Sequence, residues 1–132
     1  MTDTDDVLDA NSKFYKTFAA GDLIAMQYIW AKQHNVAVIH PGWPAIHGYE
    51  KVMKSWQSIF HAQGKIDIKC IDAKVYIMPD SAFVICTELL GDTKLEATNF
   101  YVKEDDVWKI IHHQATPVQN DDDEETPDIV VH

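Results

Sequence analysis

The sequence predicts an α+β domain in which N-terminal helices pack on one face of a strongly curved, mostly antiparallel sheet that encloses a pocket. Apolar residues recur at helical spacing in most of the first half of the chain. Segments of the second half alternate apolar and polar residues between turn residues. The longest of these segments changes phase in its middle, which predicts a bulge that bends the sheet.

Start and stop signals define the predicted helices. The first helix covers residues 4–20, where an apolar stripe with helical spacing ends at Gly21. Asp22 is the predicted N-cap of a second, shorter helix. Gly48 precedes a third amphipathic helix over residues 49–62.

Six extended segments follow from strand-type patterns and turn chemistry. The first ends at Pro41, because proline cannot donate to a strand ladder. In the long third strand, one extra residue near Cys70 and Ile71 would keep two apolar sets on one face: Ile66, Ile68 and Cys70, then Ile71, Ala73, Val75 and Ile77. The predicted strands cover residues 36–40, 45–47, 65–78, 82–90, 95–103 and 107–116.

Length and composition indicate one soluble globular domain over residues 1–118 and an acidic, disordered tail over residues 119–132. The chain has 132 residues and 46% of them are apolar, which suffices for a core. No apolar run reaches the ~20 residues that span a bilayer, and the acidic N-terminus does not resemble a signal peptide. The expected location is cytoplasmic. Cys70 and Cys86 are expected to be buried, reduced thiols.

Charge argues against nucleic acid and anionic membrane surfaces as partners. The formal net charge is −10, and all eleven cationic side chains are lysines. Phosphate recognition needs clustered cations and favours arginine, which this chain lacks. Single glycines do not form a phosphate-binding loop, and neither a cofactor nor a metal is predicted.

Two remote segments carry the predicted site. His40 ends the first strand, where it faces the mouth between sheet and helices. If Asp105 and Asp106 form a two-residue turn, Asn99 lies directly opposite His112. Tyr101 and Gln114 then share their face, and Trp43 and Trp56 are candidate walls.

Each of these assignments has a structural alternative. His40 could be a rim histidine bonded to a backbone carbonyl, and the two tryptophans could belong to a simple core. Asn99 and His112 could merely satisfy each other. Adjacent strand histidines point to opposite faces, so the pair His112 and His113 is a poor metal chelate.

The order of elements and three segments resemble the SnoaL-like branch of the nuclear transport factor 2-like superfamily. The segments are residues 19–22, which are similar to its "AGD" step, residues 40–48 and residues 99–115. The branch includes relatives of the association domain of calcium/calmodulin-dependent kinase II. The resemblance covers residues 7–118 and implies a cone-shaped fold with a deep pocket.

The resemblance also implies a homodimer through the outer face of the sheet, with Thr98, Phe100, Ile111 and His113 as interface candidates. Ketosteroid isomerases of this superfamily carry an aspartate base before a proline, and His40 occupies the matching place. Their second aspartate matches Asn99, and their first-helix tyrosine matches Phe14, which is therefore a ligand-binding candidate.

These observations leave three hypotheses open. The first is a domain that binds an unidentified small molecule, with catalysis of an isomerase, dehydratase, cyclase or hydrolase type as one version. In that version His40 is the base, and Asn99 with His112 stabilises an oxyanion. The second is a non-catalytic oligomerisation or interaction module like the kinase association domain. The third is a domain with no small ligand.

Overall fold

The helices and the sheet are arranged as the sequence predicts. We describe residues 2–119 from a computed structural model; the predicted tail lies, except for Gln119, outside this range. The elements are α1 (Asp3–Ala20), α2 (Leu23–Ile29), β1 (Ala37–Ile39), β2 (Ile46–His47), α3 (Tyr49–Gln63), β3 (Ile68–Ile77), β4 (Ser81–Leu90), β5 (Thr93–Glu104) and β6 (Val107–Pro117).

Local signals fix the ends of the helices. α1 begins one residue before the predicted start, because Thr2 and Asp5 form a capping box in which Thr2 Oγ1 accepts from the Asp5 amide at 3.2 Å. α1 ends at Gly21, whose φ is +65°. A Cβ at this position would lie 2.5 Å from the Gly64 carbonyl oxygen, so only glycine fits the close approach of the two helix ends. Asp22 caps α2, as predicted, by accepting from the Ala25 amide at 3.0 Å.

The sheet has six strands in the order β2-β1-β6-β5-β4-β3 and is open. β1 runs parallel to β6, and the other neighbours are antiparallel. α1 packs on β3, β4 and β6, while α3 packs on β1 and β2, so the helices cover one face. Between that face and the helices lies one apolar core, whose largest fully buried side chains are Trp30, Trp56, Tyr101 and Phe14. No helix within residues 2–119 combines the length and apolarity that crossing a membrane requires.

The predicted bulge in β3 is present, slightly later than expected. The register with β4 shifts between Ile71 and Lys74, and Asp72 has a φ of +55°. Cys70 and Val75 both face inward, paired with inward residues of β4. The prediction for Ile71 is wrong: it precedes the bulge and therefore points outward, with 40% of its surface exposed.

A second bulge, in β6, overturns the predicted pairing of the last hairpin. Asp105 and Asp106 have φ of +54° and +66°, and Glu104 pairs with Val107, so the two-residue turn is as predicted. The pairing then skips Ile111. Asn99 therefore faces His113 rather than His112, and Gln114 faces Thr98. One inserted residue exchanges the faces of every side chain beyond it.

Candidate functional site

A cavity of about 300 Å³ lies between the sheet and the helices, and we call it the inner cavity. Three titratable side chains face it, from the loop after β1, from β4 and from β6. The remainder of its wall is mostly apolar. Its lining residues are Phe18, His40, Pro41, Trp43, Ser58, Ile59, Ala62, Gln63, Ile66, Glu88, Leu90 and His113.

His40 is held in one orientation by α3. Its Nε2 lies 2.9 Å from Ser55 Oγ, and Ser55 donates its own hydrogen to the Val52 carbonyl at 2.6 Å. His40 Nε2 must therefore donate, which leaves Nδ1 as an acceptor. The ring packs edge-on against Trp43 and Trp56, with centroids 4.9 and 4.7 Å away. Burial lowers the pKa of His40 to about 4, so the imidazole is neutral at pH 7.

His113 takes the inward position that the sequence prediction gave to His112. Its side chain is 1% exposed, and its Nδ1 lies 2.6 Å from Asn99 Oδ1. Because an amide oxygen only accepts, Nδ1 carries the hydrogen and Nε2 keeps its lone pair. Burial, then the neighbouring His40 and His112 rings, lower the pKa of His113 to about 3.

Glu88 is the third titratable residue of the inner cavity. Its carboxyl group is buried, and its Oε2 accepts from the Tyr15 hydroxyl at 2.7 Å and lies 3.7 Å from His113 Nε2. Burial raises the pKa of Glu88 to about 7, partly offset by the Tyr15 hydrogen bond. Since burial opposes charge on both partners, the Glu88–His113 contact below about pH 7 is one between a protonated carboxyl and a neutral imidazole.

Sequence reasoning did not assign Glu88 to the site, although a signal for it exists. Ala82, Val84 and Cys86 alternate along β4 and face inward. Glu88 continues that phase, so period-two alternation alone places a carboxylic acid among core residues. A buried acid in such a phase is rare unless it has partners.

A polar network behind the cavity wall orients His113. The Asn99 amide nitrogen donates to Asn11 Oδ1 at 2.9 Å and to the Tyr15 hydroxyl at 3.1 Å. The Tyr101 hydroxyl donates to the same Asn11 oxygen at 2.8 Å. Asn99 is completely buried, and both ends of its amide are occupied. Its geometry suits a positioning role. The hydroxyl group that reaches it is that of Tyr15, whereas Phe14 has no hydroxyl group.

The other predicted site residues are distributed over several places. Trp43 lines the inner cavity, whereas Trp56, Phe14 and Tyr101 are buried and do not line it. Gln114 was placed on the inner face, but it is exposed and points outward opposite Thr98. The β6 bulge explains this difference, as it does for the two histidines.

His112 and His113 exchange their predicted roles. His112 lies half-buried on the outside of the sheet, where its Nδ1 is 3.0 Å from the Ala37 carbonyl oxygen. His113 is buried inside the chain and therefore unable to contribute to an outer interface. Thr98, Phe100 and Ile111 remain partly accessible.

The outer face of the sheet carries a row of aromatic rings. Tyr76 stacks on Phe83 with centroids 4.7 Å apart, Phe83 lies 5.3 Å from Phe100, and Phe100 lies 6.1 Å from His112. We call these four residues the outer row. Tyr76 is 44% exposed and the neighbouring Ile85 is 39% exposed, so the row borders open apolar surface.

A larger, open groove of about 450 Å³ lies between α1, α2 and the β5–β6 hairpin. Its polar residues include Asp6, Asp9, Lys13 and Lys109, on α1 and β6. Mixed surface charges favour no single ligand chemistry, and the buried titratable groups of the inner cavity do not reach it.

Within residues 2–119, no three histidine, cysteine or acidic residues are grouped closely enough to hold a metal ion. Cys70 and Cys86 are free thiols, of which only Cys86 is fully buried.

The inner cavity thus combines two fixed nitrogen lone pairs with one carboxyl group that titrates near neutral pH. A carboxyl with a pKa near the ambient pH is well matched to giving and receiving protons. Each neutral imidazole keeps one nitrogen that can accept a hydrogen bond, and burial strengthens such interactions.

Known proteins share both the fold and part of the sequence. A structure from Streptomyces avermitilis, described as a candidate dehydratase of the NTF2-like family, is 29% identical with a TM-score of 0.83, covering 89% of this chain and 97% of its own. A candidate calcium/calmodulin-dependent protein kinase type II association domain from Thiobacillus denitrificans is 32% identical with a TM-score of 0.75, covering 83% of this chain and 93% of its own.

A longer plant protein and a family model complete the comparison. The F-box protein SKIP8 of Arabidopsis thaliana is 25% identical over 128 residues, which are 96% of this chain but only 54% of that protein. The chain thus spans about half the length of this curated relative. The model of the SnoaL-like domain matches residues 7–119. The chain therefore belongs to the SnoaL-like family, within the NTF2-like superfamily of cone-shaped α+β domains.

Proposed function

We propose that this domain binds a compact, mostly apolar small molecule in the inner cavity and transfers protons on it. The observation that carries the proposal is the convergence of His40, Glu88 and His113 on one cavity of about 300 Å³. The candidate dehydratase at 29% identity supports the same reaction class.

In a dehydration His40, Glu88 and His113 would each have one role. His40 Nδ1, the unshared nitrogen, accepts the proton from the carbon next to a carbonyl group. The hydroxyl group on the following carbon leaves with the proton of Glu88, so that water departs and a carbon–carbon double bond forms. The proton on His40 then returns to the Glu88 carboxylate, which restores the starting state. His113 Nε2 accepts a hydrogen bond from the reacting molecule, and Asn99 holds the His113 ring in position.

A β-hydroxy ketone of suitable size tests this reaction. The aldol adduct of acetone and benzaldehyde loses water to give benzalacetone, whose conjugated chromophore is followed by ultraviolet absorbance. We expect the wild-type domain to accelerate this loss and Glu88→Gln and His40→Ala each to lower the rate at least about a hundredfold, as removal of a general acid or base does.

The matched control is His112→Ala, which removes an imidazole one residue from the site and should retain the wild-type rate. A wild-type rate no faster than that in buffer, or equal rates for all variants, would refute catalysis by these groups. Bound ligand with no turnover would leave the binding half of the proposal standing.

We also propose that two copies of the chain associate through the outer row and its surroundings. The exposed aromatic and aliphatic side chains support this, as does the likeness to a candidate association domain. The interface candidates are Thr98, Phe100 and Ile111, with His112 in place of His113.

Phe100→Glu tests the association. A carboxylate in the middle of the outer row should shift the protein from dimer to monomer in sedimentation-equilibrium measurements, because it places an unpaired charge in an apolar contact. Tyr28→Glu, at a residue that is 63% exposed on α2, is the matched control. A monomeric wild type would contradict the proposal. If Phe100→Glu separates the copies while changes in the inner cavity have no measurable effect on any ligand, the domain is an association module instead.

A further inference from the structure

The two imidazoles of the inner cavity each keep one nitrogen that can accept a hydrogen bond, beside the carboxyl group of Glu88. His40 Nδ1 is left as an acceptor because Nε2 donates to Ser55. His113 Nε2 is left as an acceptor because Nδ1 donates to Asn99. Among residues 2–119 no donor lies within hydrogen-bond distance of either nitrogen, since the Glu88 carboxyl oxygen is 3.7 Å from His113 Nε2. The ring partners prevent either imidazole from changing tautomer without losing a buried bond.

The cavity also lacks a positive charge. Among the described residues its lining includes no lysine, and the chain has no arginine. Burial lowers the pKa of both histidines to about 4 and 3, so they stay neutral at pH 7. An anion would therefore lose its hydration without gaining a cation, and it would face two lone pairs and a carboxyl group.

The same logic favours a ligand that donates. A hydroxyl group brought to either imidazole nitrogen forms a bond that a bare hydrocarbon cannot offer. The two buried acceptors remain unsatisfied when the ligand has no donor, which is the circumstance that gives polar sites their largest discrimination. The aromatic and aliphatic wall, including Phe18, Trp43 and Leu90, suits a hydrocarbon skeleton.

We infer that the inner cavity selects neutral, hydroxyl-bearing hydrocarbons of about the size of a fused two-ring compound and discriminates against carboxylates and phosphates. This inference rests on the proposed binding function and adds the chemical class of the ligand. The selection comes from the fixed tautomers of His40 and His113, so it does not depend on catalysis.

Four probes with one carbon skeleton separate the contributions. β-Naphthol donates a hydrogen bond, its methyl ether only accepts, naphthalene does neither, and β-naphthoate carries a negative charge. We expect calorimetry at pH 7 to give a dissociation constant for β-naphthol at least about tenfold lower than for each of the other three, the factor that one good hydrogen bond supplies.

Three variants test whether the preference for β-naphthol comes from the imidazole nitrogens and the missing positive charge of the cavity. His40→Leu removes one acceptor and should reduce the advantage of β-naphthol over its methyl ether. Leu90→Lys places a cation on the cavity wall and should raise the affinity for β-naphthoate relative to that for β-naphthol. Ile24→Lys, at a residue that is 69% exposed on α2, adds the same charge away from the cavity and should change neither affinity.

The possible failures are distinguishable. If the methyl ether or β-naphthoate binds the wild type as tightly as β-naphthol, the inferred selectivity is overturned while binding in the cavity stands. If none of the four probes binds, the proposed binding function itself is overturned. A β-naphthol preference that His40→Leu leaves intact also overturns the inference, because the preference then originates elsewhere.

Discussion

The two faces of the sheet are built from the same strands but differ in which polar and aromatic side chains they bury. The inner face buries Glu88, Asn99 and His113, which are polar or titratable and are each hydrogen-bonded to one another or to helix residues. The outer face leaves rings such as Tyr76 and Phe83 half-exposed and stacked in a row. The rest of the inner face is apolar, as is ordinary for a domain of this class, and these two sets of residues depart from that distribution.

The difference between the two faces separates residues that stabilise the fold from residues that are available for association. The inner polar groups are costly to bury and stay only because each has a partner. The exposed parts of the aromatic rings remain in water in a single copy and are buried only on contact with another surface. Perturbing the inner face should therefore change folding and the protonation of the site, whereas perturbing the outer face should chiefly change association.

The largest expected effect comes from Asn99→Leu. Leucine has a similar volume, but it removes the hydrogen bonds that Asn99 makes to Asn11, Tyr15 and His113 and leaves the buried His113 Nδ1 without its acceptor. The free energy of unfolding should fall by about 3–5 kcal/mol, as it does when a buried polar network is broken. Urea denaturation measures this change. Thr98→Val, one residue earlier on the outer face, should stay within about 0.5 kcal/mol, and equal losses for both variants would remove the distinction between the faces.

The second effect is a pH dependence that originates at Glu88. Burial raises the pKa of folded Glu88 from 4.5 to about 7. Between these values the folded state binds more protons than the unfolded state, so the contribution of Glu88 to stability is largest below pH 4.5 and falls as pH rises to about 7. The free energy of unfolding of the wild type relative to Glu88→Gln should therefore fall by about 3 kcal/mol across this range, since one pKa unit corresponds to about 1.4 kcal/mol.

The comparison with Glu88→Gln is needed because the histidines act in the opposite direction. The lowered pKa values of His40 and His113 mean that the unfolded state binds more protons below pH 6.5. Their contribution is therefore lost as the pH falls. Both proteins contain these histidines, so the difference between them isolates Glu88. A difference that does not vary with pH would show that the carboxyl group is ionised in the folded state throughout.

The two bulges differ in whether the sequence pattern could predict them. In β3 the apolar residues change phase around Cys70, and this change predicts the extra residue close to where Asp72 supplies it. In β6 the extra residue is Ile111, between Ile110 and His112. A pair of isoleucines followed by a pair of histidines reads equally well in either phase, so no pattern marks the insertion.

The consequence for the site was a shift of one residue. The helices, the strand order along the chain, the turn at Asp105 and the placement of His40 follow from local signals, which act within a few residues. Which of His112 and His113 faces Asn99 depends on the bulge, and the bulge depends on contacts between remote segments. Glu88 needed no such contact, because its phase in β4 already placed it inside.

The smallest effect should come from His112→Ala, and it tests the assignment of the two histidines directly. His112 makes one half-buried hydrogen bond, to the Ala37 carbonyl oxygen. Its loss should lower the free energy of unfolding by about 1 kcal/mol. The affinity for β-naphthol should not change, because the ring lies on the opposite side of the sheet from the inner cavity. His113→Ala at the next residue should instead remove a cavity acceptor and cost several times more stability. If His112→Ala weakened probe binding and His113→Ala did not, the register of β6 would have to be the one without the bulge at Ile111.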